Sequence, residues 1–235
     1  MRNTKTLLAV LGVLLVVTTR GEADVLFENT GTLMGWSKVY VQQQGTNTMV
    51  STPTFEGPSA IKSTQTFVVA DGRGYHSERV MFDIQKNGED LYYGMALYLP
   101  PDWAFHNQNV TFQQWAFENP GGGGPWILMF VQNDKLRMGG SGASGSRDLA
   151  TITNLRGTWI RIVTRINMTA SGPFEVWVNG TKTASAPINL VVGDDPPTIR
   201  WSTGIYCTDW RTQQRGRLPR AWCCRLLFRS RRMIK

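Results

Sequence analysis

From Asp24 onward the chain alternates, and no segment sustains the 3.6-residue period of a helix. The clearest stretch is Thr158–Ile166, TWIRIVTRI. Ile160, Ile162 and Ile166 fall on one side of it, with Arg161 and Arg165 on the other. One apolar face and one wet face describe a strand of an antiparallel sheet. Leu91–Leu99 reads the same way and stops at Pro100-Pro101. Trp126–Val131 leads through Asn133-Asp134 into Lys135–Met138, the outline of a hairpin. Phe174–Val178 runs into Asn179-Gly180, a dipeptide suited to a tight two-residue hairpin turn. Trp201–Trp210 is a further strand candidate. The glycine runs at 121–124 and 139–145 fall between strands, and neither opens a helix, which argues against a phosphate cradle. Short strands at steady spacing predict one all-β domain, a sandwich or jelly roll of two antiparallel sheets.

Residues 1–23 stand outside this pattern. Arg2 and Lys5 precede an apolar run, Leu7–Val17, and Gly21 and Ala23 are small residues at the cleavage-specifying positions. That is the layout of a secretory signal peptide and too short for a membrane span. About 210 residues follow, enough for one large all-β domain with its own core. Three acceptor sequons, at Asn109, Asn167 and Asn179, agree with a secreted, extracellular chain.

The formal charge of +8 is unevenly placed. Arg211–Lys235 holds nine basic side chains and no acidic one; without them 16 basic face 17 acidic groups. The body therefore carries no nucleic-acid footprint. Residues 211–235 read as an anomalous basic tail, a frameshifted or disordered extension. Cys207, Cys223 and Cys224 all lie near this end, with no spacing suited to zinc.

Chemistry-bearing residues are few. The two histidines are His76 and His106, and neither a GxSxG elbow nor paired strand carboxylates of a glycosidase are present. Three strands carry polar side chains worth naming. In Gly74–Phe82, His76 and Glu78 share a face, with Ser77 and Arg79 opposite. In Thr111–Phe117, Gln114 shares a face with Phe112 and Ala116. In Arg200–Trp210, Arg200, Ser202, Gly204, Tyr206 and Trp210 share a face.

The order YHSE, YYGMALYLPPDW, a Gln-bearing strand, GTWIRI, FEVWVNGTK and TGIYCTDW resembles the fungal-type glucuronan lyases. More distantly it is similar to jelly-roll alginate lyases and heparin-lyase-like proteins. The resemblance covers residues 24–210 and implies a concanavalin-like β-jelly-roll sandwich. It implies β-elimination on a uronic-acid polysaccharide, most closely glucuronan. By the same resemblance Gln114 faces the substrate carboxylate, His76 is a candidate base, and Tyr206 is the acid and a further candidate base. Glu78 would orient the imidazole, and Glu78, Arg200 and Trp210 are the substrate-binding expectations. No metal or other cofactor is required by that chemistry, although jelly rolls of this kind often hold a structural Ca²⁺. The implied partner is an acidic polysaccharide, with no nucleic acid, no membrane and a monomeric chain. Alginate lyases of this shape carry Gln-x-His on one strand; here the second position is Ala116, so the histidine has to come from His76. The family's last strand is poorly matched after Trp210, which leaves an edge open and activity in question. The competing expectation is a lectin-like sandwich that binds polysaccharide without cutting it.

Overall fold

The computed structural model describes residues 24–42, 44–66, 75–86, 88–117, 125–140, 145–169, 172–187, 198–207 and 223–234. Residues 1–23, expected to be a signal peptide, the glycine run at 121–124 and Trp210 lie outside these residues. The strands in chain order are β1 (Val25–Phe27), β2 (Lys38–Val41), β3 (Thr46–Val50), β4 (Ala60–Thr66) and β5 (His76–Gln85). Next come β6 (Asp90–Tyr98), β7 (Val110–Phe117), β8 (Pro125–Gln132), β9 (Lys135–Gly139) and β10 (Arg147–Thr151). The chain continues with β11 (Trp159–Asn167), β12 (Pro173–Val178), β13 (Thr181–Pro187), β14 (Ile199–Tyr206) and β15 (Cys223–Ile234). The helical element among the described residues is one 3-10 turn, Thr153–Leu155.

Two antiparallel sheets face each other, as the alternation predicts. The first runs β13-β12-β11-β6-β15-β4-β3, with β1 joined to β15. The second runs β10-β9-β8-β7-β14-β5-β2. The isoleucines of β11 point inward, with Ile160, Ile162 and Ile166 at most 1% exposed. An aromatic chain crosses the core. Tyr93 meets Trp115 edge-on at 5.4 Å, and Trp115 meets Phe174 at 6.5 Å. Tyr93 also reaches Trp201, and its hydroxyl donates to Gln85 Oε1 at 2.7 Å. Each of these rings is almost fully buried.

The interior turns polar where β5 meets β4. Ser77 Oγ donates to the Thr64 carbonyl at 2.6 Å and to Gln65 Oε1 at 2.8 Å. These bonds tie β5 to the opposite sheet. Arg79, on the same inward face, is buried and donates to the Leu33 carbonyl at 3.3 Å; burial lowers its pKa from the ordinary value. With Ser77 and Arg79 turned inward, His76 and Glu78 must face outward.

On the outer face of the first sheet, Arg165 holds neighbouring strands together. Its Nη2 and Nε donate to Asp90 on β6, at 2.6 and 3.0 Å to the nearest oxygens. Its Nη1 donates to Glu175 on β12 at 3.0 Å, and Lys182 on β13 pairs with the other Glu175 oxygen. The Arg165 hydrogen bonds hold Asp90 below the usual carboxylate range. Lys182, then Arg165, do the same for Glu175. Folded-state pKa values below the unfolded ones add stability above the ordinary carboxylate range, and acid removes it as pH falls through the folded values. Arg165→Ala is therefore expected to shift acid unfolding to higher pH. The exposed side of the network limits the loss to about 1 kcal/mol, or roughly 3 °C in Tm for a domain of this size. Circular dichroism against pH and temperature checks both.

The reading of the C-terminal segment requires correction. Cys223–Ile234 forms β15 and sits inside the first sheet, not beyond the fold. Leu226 pairs with Ser63 and Phe228 with Ile61 on β4. On its other edge Phe228 pairs with Leu97 and Ser230 with Met95 on β6. Both neighbours thereby obtain ladder partners, so the strand position expected to be empty is filled.

Candidate active site

Three adjacent strands of the second sheet, β7, β14 and β5, carry the site. Their registers set its geometry. Tyr206 stands opposite His76, Gly204 opposite Glu78, and Ser202 opposite Gln114. The predicted face-sharing of His76 with Glu78 holds, and register adds Tyr206 and Gln114 to the same outward face.

Gly204 makes the close approach possible. Its φ is +135°, and a Cβ there would lie 2.2 Å from the Ser77 carbonyl oxygen and 2.9 Å from Glu78 Cα. Only glycine accepts that conformation without strain. β14 thus lies tight against β5 where the site is built.

The side chains form a connected line. His76 Nδ1 lies 2.5 Å from Glu78 Oε2. Gln114 Nε2 donates to Glu78 Oε1, also at 2.5 Å. The Tyr206 ring stacks on the His76 ring at 4.0 Å, with the planes 8° apart. His76, Glu78, Gln114 and Tyr206 are all below 8% exposed. Burial of an ionisable group at this depth requires partners, and Glu78 has one on each oxygen. A carboxylate only accepts, so Nδ1 is the donor, and the tautomer this favours has its lone pair on Nε2.

Glu78 therefore differs from its expected role toward substrate. At 1% exposure, with both oxygens engaged inside the cluster, it orients His76 and Gln114 and does not reach the open groove. Arg200 pairs with Ala116, one same-face position along from the Ser202–Gln114 pair, so it stands about 7 Å at strand rise from the Gln114 end of the line and about 20 Å from Tyr206. Trp210 lies outside the described residues.

One neighbour escaped the sequence reading. Tyr40 on β2 stands opposite Glu78, and its ring lies 4.4 Å from the His76 ring. Gln42 Nε2 donates to the Tyr40 hydroxyl at 3.0 Å, and Lys38 Nζ sits 5.4 Å from the ring centroid. Lys38, Tyr40 and Gln42 alternate in sequence, and that signal was available. Together these groups form a polar floor with one carboxylate, one imidazole, two amides and two phenols, and the Lys38 ammonium beside it. Among the described residues no group of three or more His, Cys, Asp or Glu side chains is clustered as a metal site.

The family model for polysaccharide lyases matches residues 28–218 of the chain. The chain belongs to that family. Among solved structures, this polysaccharide lyase is similar to the endo-β-1,4-glucuronan lyase of the fungus Trichoderma reesei. The TM-score is 0.80 at 27% identity, over 90% of this chain and 96% of that one. A cellulose-induced protein shares the fold, with a TM-score of 0.56 at 17% identity over 81% of this chain and 85% of that one. An alginate lyase shares it too, at 0.53 and 11%, over 77% and 82%. No curated protein sequence matches the lyase.

Proposed function

We propose that the chain is a secreted lyase that cleaves glucuronan, a β-1,4-linked glucuronic-acid polymer, by β-elimination. The observation that carries this reading is the line Gln114–Glu78–His76 with Tyr206 stacked on its end. The similarity to a glucuronan lyase over nearly the whole chain supports the choice of polymer.

The reaction removes the C5 proton of a uronic acid and breaks the C4–O4 bond. That proton is too weakly acidic unless the neighbouring carboxylate is neutralised. Gln114 spends one amide hydrogen on Glu78 and has a second for the substrate carboxylate. A donor aimed at developing charge is the largest single contribution in such catalysis. His76 Nε2 takes the C5 proton, and the imidazolium formed is stabilised by Glu78 across 2.5 Å. The C–H electron pair becomes the C4–C5 double bond. The C4–O4 pair leaves on oxygen, which receives the Tyr206 hydroxyl proton. Solvent exchange returns a proton to Tyr206 and takes one from His76. Glycoside hydrolysis uses two carboxylates, and this cluster holds one among the described residues.

The test is initial rate across a substrate panel, read as near-ultraviolet absorbance of the new double bond. Glucuronan is expected to give the highest kcat/KM, ahead of alginate and heparin-type polymers. Equal or higher rates on alginate would overturn the substrate assignment. Every step is assigned to side chains of the chain, so EDTA is expected to leave turnover unchanged. A fall in Tm on chelation would identify a structural Ca²⁺. Export follows from the Leu7–Val17 run, and a mature N-terminus at Asp24 in the culture medium is the expected result.

A further inference from the structure

The outer face of the first sheet, on the far side of the sandwich from His76 and Tyr206, carries a second surface. A shallow cleft of about 210 Å³ crosses it, lined by Gly94, Arg161, Val163 and Gly180 among others. Gly94 on β6 and Gly180 in the β12–β13 turn leave this space because they have no side chains. Arg161 is exposed on the cleft wall, and no ion pair holds it among the described residues. Its neighbour Arg165 behaves otherwise, bound to Asp90 and Glu175. The backbone at Arg161 is fixed from both sides. Its N–H donates to Asn179 Oδ1 at 2.8 Å, and its carbonyl accepts from the Asn179 N–H at 2.8 Å.

The strand next to β6 on its other edge is β15, which places Arg231 in register with Gly94 and Arg229 with Ala96. Arg161 pairs with Ala96 from the other side, so Arg161 and the Arg229 position flank β6, two inter-strand spacings apart, about 9.6 Å, and the Arg231 position lies two residues further along β15. Much of the chain's positive charge excess falls in Arg211–Lys235, and four of those arginines are built into this sheet. Arginine pairs with carboxylates in a two-pronged geometry that an ammonium does not reproduce. A row of such positions suits a ligand with a carboxylate on each repeating unit.

We infer that this cleft is a second, non-catalytic binding site for the acidic polysaccharide, which holds polymer on the back of the sandwich while the groove cuts. The inference rests on the proposed substrate class. It adds a surface the reaction itself does not use, and tethering by two sites raises effective concentration on a long chain but not on a short one.

The experiment uses the full chain without N-glycans, in the Tyr206→Phe background so that substrate is not consumed. Retention on immobilised polyglucuronate is compared with and without Arg161→Glu, and with Arg161→Ala as the milder change. The charge reversal is expected to raise Kd about tenfold, and the alanine variant less, with Tm unchanged. Added salt should weaken the Tyr206→Phe protein more steeply than the double variant. Equal retention of both proteins overturns the second site. So does equal retention on a neutral glucan, or tighter retention on RNA or anionic vesicles than on polyglucuronate. Failure of the wild-type chain to generate double bonds would remove the proposed activity and leave this comparison intact. Equal retention would remove the second site and leave the activity intact.

Discussion

A chain ended before Cys223 will not fold. β15 pairs with β4 from Cys223 to Phe228 and with β6 from Leu227 to Ile234, and it is the ladder partner of β1. Its removal opens two inner edges of the first sheet. Each backbone group left buried without a partner costs about 1–3 kcal/mol, against a total stability of about 5–15 kcal/mol for a domain. Several such groups exceed the whole. The core loses cover as well, because Ile61, Tyr93, Met95 and Leu97 lie on the two strands that β15 joins. Residues 1–222 are expected to give no cooperative thermal transition, to bind a hydrophobic dye and to aggregate. A truncated chain that melts cooperatively near the full-length Tm would show that β15 is dispensable.

Gln114→Glu is expected to abolish turnover while the fold survives. The amide now donates to Glu78 Oε1 at 2.5 Å. A carboxylate there would meet Glu78 with like charge and present no donor to the substrate's own carboxylate. Two losses combine: the charge on the substrate is no longer neutralised, and Glu78 loses the hydrogen bond that anchors its Oε1 and gains repulsion in its place. Removal of one donor aimed at developing charge costs about 10²–10³-fold in kcat. The added repulsion places Gln114→Glu at the upper end, and Gln114→Ala at the lower end because it removes the donor without adding charge. Both variants should still melt cooperatively but below the parent, Gln114→Glu lowest because its added carboxylate is buried against Glu78. A Gln114→Glu variant with a tenth or more of parental kcat/KM would remove Gln114 from the chemistry.

Much of this was written in local sequence. The alternation at Thr158–Ile166 predicted β11 and its inward isoleucines, and Asn179-Gly180 predicted the turn after Val178, where Asn179 has φ +50° and Gly180 +85°. His76 and Glu78 were legible as face-mates because they are two residues apart. The contact between Gln114 and Glu78 was not. It depends on β7 and β5 both pairing with β14, a register that no local pattern specifies. Glu78's place inside the cluster follows from the same register, since the partners on its two oxygens come from different strands. Tyr40 was passed over because Lys38–Val41 is a short edge strand with little apolar contrast. The C-terminal strand was misread for a different reason. Four arginines in twelve residues dominated its composition, and they hid the hydrophobic positions between them.

The central claim is that this polysaccharide lyase acts on glucuronan by elimination at the Tyr206–His76–Glu78–Gln114 cluster. Mass spectrometry of glucuronan digests tests it most directly. Parental protein is predicted to release oligomers lighter by one water than hydrolysis products, each with one double bond. Tyr206→Phe, with its ring still stacked on His76 and its acid proton gone, is predicted to release none above background. Hydrated products from the parental chain, or unsaturated products from Tyr206→Phe at the parental rate, would contradict the account.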